Sequence, residues 1–542
     1  MSPRHPTRPQ QTESADGSDS RPSGLRLLRS TSVVSFMTLL SRVLGLLRDL
    51  VFARFFGATL VMDAFIIANR IPNMLRRFFA EGAFSQGFVP VMAQYRENED
   101  HEEARQLVDA VAGTLGLILF LVTLAGVIAA PLLVTLVAPG FIGDDGRFDL
   151  ATAMLRFTFP YLFFVSLTAF AGGVLNTYGR FAAPAFTPVI LNVVLIASAL
   201  WLSPHTAEPA MALAYGVFLA GLAQLLFQIP FLARINAIPR PKWRPAHAGV
   251  RRVGKLMLPA IFGSSVAQIN VLVGGVIASL LGVGKISLLY FADRLMEFPL
   301  GLFGIALATV TLPTLSRQHA NASPQEFSHT VDWSMRLVML IATPAAVGLI
   351  MLAEPLVATI FFGGQFNEFD VRMTALAVQA FAAGLIGFSF VKILAPAFFA
   401  RQDTRTPVRV GLVALAVNFV LSVALAWWLT RIAYAGTHAG LALATSVAAL
   451  INAWLLYARL RRDGVVRHAS GWPLLLLRLL LANVLLAGCL SYLQRPLSWW
   501  LASGILDRSW WLLATVAAGM GAYFAALLLL GLRPDALRLR SE

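Results

Sequence analysis

Cysteine and charged residues are both scarce in this chain of 542 residues. The single cysteine, Cys489, excludes a disulfide framework and a cysteine-based zinc site. Charged residues make up 13% of the sequence and hydrophobic residues 57%, whereas an ordinary soluble protein carries about 25% charged residues. The mean hydropathy is +0.71. A soluble fold could not cover so much apolar surface, so the composition predicts an integral membrane protein.

Motifs for nucleotide-driven transport and for metal catalysis are also absent from the sequence. Gly284 and Lys285 are followed by isoleucine and serine, without the spacing of a phosphate-binding loop. No two of the eight histidines lie three to five residues apart, as a zinc-binding pair would. We therefore expect no metal site, no cofactor and no ATP hydrolysis by this chain, and the sequence assigns no coupling ion.

Long apolar segments recur along the chain, and we predict an all-α polytopic membrane protein with about 14 transmembrane helices. The predicted spans are 27–56, 60–94, 107–137, 150–176, 185–202, 210–232, 253–281, 286–315, 327–351, 371–399, 407–429, 439–460, 474–493 and 509–530. A partial extra segment is predicted over 354–362. The polar composition of residues 1–24 predicts a disordered N-terminal tail.

An internal repeat predicts how the helices are grouped. Val89-Pro90 recurs as Leu312-Pro313, each predicted to close the second helix of its half, and Pro184 recurs as Pro407, each predicted to open the fifth. Six helices in each copy give the copies one orientation, as in a parallel repeat. We predict an N-lobe over 25–233, a basic cytoplasmic loop over 234–252 and a C-lobe over 253–462. Two extra helices and a C-terminal tail follow over 463–542.

The distribution of lysine and arginine predicts the orientation in the membrane. With the N-terminus in the cytoplasm, the basic connectors all fall on the cytoplasmic side, as the positive-inside rule requires. They include Arg240, Lys242, Arg244, Arg401 and Arg405. Both termini are therefore predicted to be cytoplasmic. This bias also accounts for the net charge of +15, so we expect no nucleic-acid partner.

Ionisable residues that lipid would not tolerate crowd the first two predicted helices. They are Arg42, Arg48, Asp49, Arg54, Asp63, Arg70, Arg76, Arg77 and Glu81. Each would cost about 2.5 to 3.5 kcal/mol if it faced lipid near the centre of the bilayer. Asp293, Arg294 and Glu297 occupy one turn of the eighth predicted helix. These side chains must face water or protein, which predicts a wet cavity between the lobes.

Arginine outnumbers carboxylate in this set, which predicts a cationic cavity that binds an anionic ligand. The planar guanidinium group matches phosphate oxygens with two parallel hydrogen bonds. We assign Arg42, Arg48, Arg76 and Arg294 to substrate binding. Glu81 lies four residues past Arg77 and five past Arg76, where it could pair with either, and is assigned to the same site.

The remaining charges have structural interpretations as well. Asp49, Asp63 and Glu297 are candidates to neutralise neighbouring arginines. An alternative from another class is a membrane-embedded glycolipid transferase, in which Asp49, Asp63 or Glu81 would act as the base. Arg70 is equally well explained as a salt-bridged or snorkelling residue. Lys392 lies near a span end, where a snorkelling side chain is expected.

Several motifs resemble those of the lipid II flippase family MurJ, also called MviN. In the first half they are Ser41-Arg42-Val43-Leu44-Gly45, Arg48-Asp49, Asp63-Ala64-Phe65, Pro72-Asn73, Leu75-Arg76-Arg77 and Phe79-Ala80-Glu81-Gly82-Ala83-Phe84-Ser85-Gln86. In the second half they are Tyr290-Phe291-Ala292-Asp293-Arg294-Leu295-Met296-Glu297-Phe298-Pro299, Ala400-Arg401-Gln402-Asp403 and Thr406-Pro407.

The resemblance implies a fold of the multidrug/oligosaccharidyl-lipid/polysaccharide exporter superfamily, with two six-helix lobes and a C-terminal helix pair whose groove holds an undecaprenyl tail. It implies that lipid II is moved from the cytoplasmic to the periplasmic leaflet of the inner membrane for peptidoglycan synthesis. The family positions important for flipping correspond to Ser41, Arg42, Arg48, Asp63, Arg76, Glu81, Arg294 and Glu297. We expect a monomer whose partners are membrane lipid, lipid II and proteins of cell-wall synthesis or division.

The expected mechanism is alternating access around the cationic cavity, driven by the membrane potential. Ser41, Asp49, Asp63 and Glu297 are assigned to gating or charge pairing, with the carboxylates holding arginines when substrate is absent. One alternative is export of another polyprenyl-diphosphate-linked glycan. A drug antiporter for cations would need a surplus of carboxylate, and a scaffold would have no use for buried charges. We therefore expect a transporter and not an enzyme.

Overall fold

The computed structural model describes residues 24–77, 83–97, 101–143, 146–321, 323–466 and 471–532, and these residues form helices and short connectors. The helices of the first half are α1 (Gly24–Phe56), α2 (Leu60–Arg76), α3 (Ala83–Glu97), α4 (His101–Ile128), α5 (Ala130–Val137), α6 (Arg147–Thr158), α7 (Tyr161–Thr177), α8 (Ala182–Ala197) and α9 (Met211–Ala233). Those of the second half are α10 (Ala248–Ser279), α11 (Lys285–Ala320), α12 (Pro324–Met351), α13 (Ala353–Ile360), α14 (Glu368–Ala382), α15 (Leu385–Ala400), α16 (Arg405–Arg431) and α17 (Thr437–Arg462). The C-terminal helices are α18 (Trp472–Leu493), α19 (Leu497–Ala502) and α20 (Ile505–Leu529).

The prediction of an all-α polytopic membrane protein is confirmed. Within the described ranges, nine helical segments are long and apolar enough to cross a membrane, and α14 and α15 together add a tenth. Helices α1 and α11 are also long enough, at 33 and 36 residues, but carry the charges noted above. The count of fourteen spans stays a prediction.

Several predicted spans are divided, and proline or a close helix contact explains each break that the structure describes. The span predicted over 150–176 breaks before Pro160, whose ring lacks the N–H that a helix needs. The span predicted over 371–399 bends by 42° between α14 and α15, at Gly384, where a side chain would overlap Ser446. The span predicted over 60–94 corresponds to α2 and α3, which residues 78–82, outside the described ranges, separate. The partial segment predicted over 354–362 is confirmed as α13.

The proline markers of the repeat have mixed outcomes. Pro184 and Pro407 do lie near the starts of α8 and α16, as predicted. The expectation that Pro90 and Pro313 close their helices is wrong, because α3 and α11 continue to Glu97 and Ala320. A membrane helix tolerates a proline when neighbouring groups satisfy the freed carbonyl.

The two halves share one core at one end of the molecule, and two separate core clusters lie at the other end. Phe52, Phe65, Phe291 and Phe366 belong to a single cluster that includes residues of both halves. We call this the joined end; it contains the connectors at 57–59, 138–142, 282–284 and 363–367. At the opposite, divided end, one cluster contains residues of α3, α4, α7 and α9 together with Val253 of α10, and another contains residues of α11, α12, α15 and α17. A cavity between the halves lies between these ends.

The C-terminal pair α18 and α20 packs on the second half. Leu340 of α12, Leu479 of α18 and Leu527 of α20 are buried in one cluster. The hydroxyl of Tyr523 donates a 2.7 Å hydrogen bond to the carbonyl oxygen of Leu340. At the divided end, the indole N–H of Trp472 donates a 2.7 Å hydrogen bond to the carboxylate of Asp332 on α12. The pair is therefore fixed to the second half at several levels.

Candidate functional site

The space between the halves consists of two adjoining cavities of about 430 and 730 Å³. Helices α1, α2, α7, α8 and α9 line it from the first half, and α10, α11 and α15 line it from the second. Six residues line both cavities and mark the region where they meet: Arg48, Arg76, Leu191, Asp293, Arg294 and Glu297. The two cavities thus form one chamber with the arginines at its centre.

Cations outnumber carboxylates among the chamber-lining side chains that the structure describes. The cations are Arg42, Arg48, Arg70, Arg76, Arg77, Arg294 and Lys392. The carboxylates are Asp49, Asp293 and Glu297. A chamber with this surplus attracts an anion, and arginine favours phosphate oxygens in particular.

Asp49 is the centre of a charge network that joins the two halves. Its carboxylate is 2% exposed and accepts hydrogen bonds from Arg48 Nη2 at 2.7 Å and from the Tyr290 hydroxyl at 2.8 Å. Arg294 Nε of α11 lies 3.5 Å from the other carboxylate oxygen. Arg294 also stacks over the Tyr290 ring, with its guanidinium carbon 4.9 Å from the ring centroid. The buried carboxylate therefore has partners on both sides of the chamber.

Arg48 is held on its other side by α8. Its Nη1 donates a 3.1 Å hydrogen bond to the side-chain oxygen of Asn192. The amide nitrogen of Asn192 in turn donates to the backbone carbonyl of Ser41 at 3.0 Å. Ser41 therefore contributes its backbone to the network, and its side chain lines the larger cavity.

Glu297 pairs with Arg294 one helical turn earlier. Arg294 Nη1 lies 2.7 Å from the Glu297 carboxylate, and the Glu297 side chain is 55% exposed. Arg294 thus contacts one buried and one accessible carboxylate.

The other predicted arginines lie along the chamber wall. Arg76 Nε donates to Asn73 at 3.2 Å, and Arg42 lies against Gly301 of α11, where a side chain would overlap its guanidinium group. Lys392 of α15 lines the chamber and donates a 3.1 Å hydrogen bond to the carbonyl of Leu300. The expectation that Lys392 snorkels from a span end is wrong, because its helix brings it to the chamber instead. Glu81 lies outside the described residues.

Asp63 lies apart from the chamber, at the joined end. Its carboxylate is fully buried and accepts the backbone N–H of Gly284 at 2.6 Å and that of Ser287 at 2.9 Å. The Ser287 hydroxyl donates to it as well, at 2.6 Å. These N–H groups belong to the first turn of α11, which has no partner for them within the helix. Asp63 of the first half therefore caps a helix of the second.

Arg147 is the arginine nearest to Asp63, with 3.9 Å between Nη1 and the carboxylate. It is buried and lies over the Phe141 ring at 4.7 Å from the centroid. The structure thus pairs Asp63 with Arg147. The sequence predicted instead that Asp63 would pair with arginines of the chamber.

Backbone contacts close the joined end around this carboxylate. The N–H of Gln365 donates a 2.9 Å hydrogen bond to the carbonyl of Arg54 across the halves. Gly284 has a φ of +82°, and a Cβ there would lie 2.5 Å from the carbonyl oxygen of Ala58. Glycine is required here for both reasons. The joined end is therefore closed by main-chain contacts that a side chain would prevent.

An apolar groove of about 220 Å³ lies between the second half and the C-terminal pair. Its lining includes Pro299 of α11, Leu349 of α12, Leu490 of α18 and Val516 of α20. Pro299 follows Phe298, which lines the chamber. The groove therefore begins one residue away from the chamber wall on α11.

Two residues of the network, Tyr290 and Asn192, are not identified by the pattern of charged residues in the sequence. Both are neutral. The tyrosine does stand in the motif around Arg294, four residues before it and on the same helical face, which was a usable signal.

Comparisons with known proteins agree with this architecture. The family model described as lipid II flippase MurJ matches residues 52–506. The chain is 45% identical over 524 residues to the "Probable lipid II flippase MurJ" of Vibrio cholerae, covering 95% of this chain and 98% of that one. It is 40% identical over 527 residues to the "Lipid II flippase MurJ" of Burkholderia cenocepacia, covering 96% and 100%.

Solved structures share the fold. A lipid II flippase MurJ in an inward closed conformation superposes with a TM-score of 0.76 at 24% identity, covering 93% of this chain and 99% of that one. An inward-facing multidrug resistance transporter of the MATE family superposes with a TM-score of 0.64 at 15% identity, covering 78% and 95%. Given the family match and these relatives, the chain belongs to the lipid II flippase family MurJ and is a multi-pass inner-membrane transporter, not an enzyme.

Proposed function

We propose that this protein moves lipid II from the cytoplasmic to the periplasmic leaflet by alternating access. The observation that carries the proposal is the cationic chamber between two halves that are joined at one end and divided at the other. The diphosphate of lipid II is an anion of the kind that such a chamber attracts. The names of the relatives suggest lipid II as the substrate, and the surplus of arginine in the chamber gives a physical reason why its diphosphate would bind there.

The exchange of ion-pair partners supplies a mechanism. Without substrate, Asp49 and Glu297 hold Arg294, and Asp49 holds Arg48. The diphosphate takes over contacts of Arg48, Arg76 and Arg294 when it enters, which loosens the link that Asp49 makes between the halves. The halves then separate at the joined end and close at the divided end.

The membrane potential is the proposed driving force. With the N- and C-termini in the cytoplasm, the divided end faces the cytoplasm and the joined end the periplasm. Moving negative charge outward from an inside-negative cell gains about 2.3 kcal/mol per charge per 100 mV. The undecaprenyl tail lies in the groove between the second half and the C-terminal pair while the diphosphate occupies the chamber.

Depletion of the protein in a growing bacterium tests the substrate. Lipid II should accumulate on the cytoplasmic face, and accumulation of a different polyprenyl-diphosphate glycan would instead identify that glycan as the substrate. Re-expression of the wild-type chain should restore flipping, and Arg294→Ala should not, at equal amounts in the membrane. Arg372→Ala is a matched control, since Arg372 forms an exposed pair with Glu368 outside the chamber.

The driving force is tested separately. Dissipating the membrane potential in cells that carry the wild-type chain should stop flipping. Flipping that continued at the same rate would exclude the potential as the energy source and leave the substrate assignment intact.

A further inference from the structure

The connector between α9 and α10, residues 234–247, has a composition unlike that of its neighbours. We call it the basic strap. It carries Arg234, Arg240, Lys242 and Arg244, and the sequence has no acidic residue between Glu208 and Asp293. Three prolines, at 239, 241 and 245, keep the middle of the strap extended. The strap is therefore an extended cationic segment with its backbone free to contact another element.

The strap lies on the face of α4 that would otherwise meet lipid. Exposed apolar side chains follow one stripe of α4, including Leu117, Leu121 and Leu124. One and two turns before Leu117, the same stripe reaches Gly113 and Asp109. Asp109 is 3% exposed because the strap covers it.

Asp109 fixes the strap by three contacts. Its carboxylate accepts the N–H of Arg240 at 2.7 Å and lies 3.1 Å from Lys242 Nζ, and its backbone carbonyl accepts the N–H of Lys242 at 3.0 Å. A side chain at Gly113 would overlap the backbone of Lys242. The strap is thus bound to the first half and stays with it when the halves move.

The apolar stripe on α4 also indicates the depth of the strap. Exposed leucines and other apolar side chains run from Leu117 through α4 and on to Leu136 of α5. At about 1.5 Å per residue, this stretch has about the 30 Å thickness of the hydrocarbon core. Gly113 and Asp109 lie roughly 6 to 12 Å beyond its first residue. The strap therefore lies in the headgroup layer at the divided end.

The outer side of the strap presents the residues that this layer favours. Trp243 is 55% exposed and Ile238 is 45% exposed. Arg240 and Arg244 are exposed on either side of the tryptophan, and neither forms an ion pair with any residue in the described ranges. Tryptophan is enriched at membrane interfaces, and arginine binds phosphate. We propose that the basic strap docks anionic phospholipid headgroups of the leaflet at the divided end.

The test measures the retention of defined lipids by the purified full-length chain. The protein is reconstituted with phosphatidylglycerol or phosphatidylcholine, and bound lipid is counted by native mass spectrometry. Wild type should retain phosphatidylglycerol in preference to phosphatidylcholine. Arg240→Gln with Arg244→Gln should weaken phosphatidylglycerol binding about fivefold for each arginine removed. Both side chains are exposed, so the fold is expected to persist.

The control removes the same charge at the joined end. Arg431 and Arg495 are exposed and each lies over a tryptophan ring, at 4.7 Å from the centroid. Their double glutamine variant should retain phosphatidylglycerol as wild type does. Equal retention of the two lipids by wild type, unchanged retention by the strap variant, or an equal loss in the control would each overturn the proposal. The measurement involves no transport, so its result is independent of the proposed function.

Discussion

The carboxylate of Asp49 lies between the guanidinium groups of Arg48 and Arg294, which belong to opposite halves of the molecule. The distances are 2.7 Å to Arg48 Nη2 and 3.5 Å to Arg294 Nε. Two of the arginines that the proposed mechanism assigns to the diphosphate are thus engaged by the same carboxylate. In the proposed mechanism, substrate binding at these arginines therefore also loosens the contact between the halves.

Asp49→Asn should tighten binding of the anionic lipid and slow its transport. The neutral amide no longer competes for the two arginines, and a hydrogen bond to a charged group contributes about 1.5 to 3 kcal/mol. We expect about tenfold tighter binding of lipid II by the purified variant, measured by native mass spectrometry. Growth of a depletion strain should fall at the same time. Asp149→Asn, an exposed carboxylate on α6, is the control, and unchanged binding by Asp49→Asn would contradict the competition.

Asp63→Ala should open the joined end. Without the carboxylate, the first N–H groups of α11 lose their acceptor across the halves, at a cost of about 1 to 3 kcal/mol. Spin labels at Ile142 and Ile432, both exposed at this end, report the separation in a background without Cys489. Their distance distribution should shift to longer values and broaden.

The exposed Asp507 of α20 provides a control at the same end, and Asp507→Ala should leave that distribution unchanged. If Asp63→Ala also left it unchanged, the cap would not contribute to closure.

Trp472→Phe should loosen the C-terminal pair from the second half. The change keeps an aromatic ring, although a smaller one, and removes the hydrogen bond to Asp332. Asp332 is 6% exposed and keeps Arg336 as a partner at 2.7 Å. We expect a loss of stability of about 1 to 3 kcal/mol, seen as a lower melting temperature in detergent. Trp427→Phe is the matched change, at a residue that is 60% exposed. An equal shift in both variants would rule out a specific role for the Asp332 contact.

Asp403→Ala should destabilise the start of α16 in a pH-dependent manner. The carboxylate accepts the hydroxyl of Thr406 at 2.6 Å and the N–H groups of Arg405 and Thr406, which holds the pKa of Asp403 below its ordinary value. This stabilisation is complete above the pKa of the unfolded state and is lost as the pH falls through the lower folded pKa. At neutral pH the variant should lose about 1 kcal/mol.

Melting temperatures of wild type and of Asp403→Ala should converge in acid. The neighbouring Thr404→Ala, which removes an exposed side chain, should show no such convergence. A difference between wild type and Asp403→Ala that persisted undiminished at low pH would contradict the role of the charged carboxylate.

The sequence predicts a feature well when the free-energy cost behind it depends only on a residue and on the span that contains it. The charged side chains of Arg48, Asp49 and Arg294 are too costly to expose to lipid. The hydropathy of their spans alone therefore predicts that they face water or protein. The helix breaks at Pro160 and Gly384 were harder to predict from the sequence, because a membrane helix can continue through proline and because glycine is common in such helices.

Contacts between residues that are far apart in the sequence could not be predicted from the sequence. Asp63 binds backbone N–H groups of Gly284 and Ser287, and every non-proline residue carries such a group, so no side-chain pattern marks the partner. Asn192 and Lys392 reach the chamber through the packing of α8 and α15, which depends on the whole fold.

The attachment of α18 and α20 to one half has a consequence for the lipid being carried. Tyr523 and Trp472 tie the pair to α12, so in the proposed cycle the groove would move together with that half. A polyprenyl chain seated there would keep its surroundings through every cycle, while its sugar-bearing end exchanges one aqueous compartment for the other. The polar end of the lipid would then cross the membrane while its hydrocarbon chain stays fixed relative to the second half.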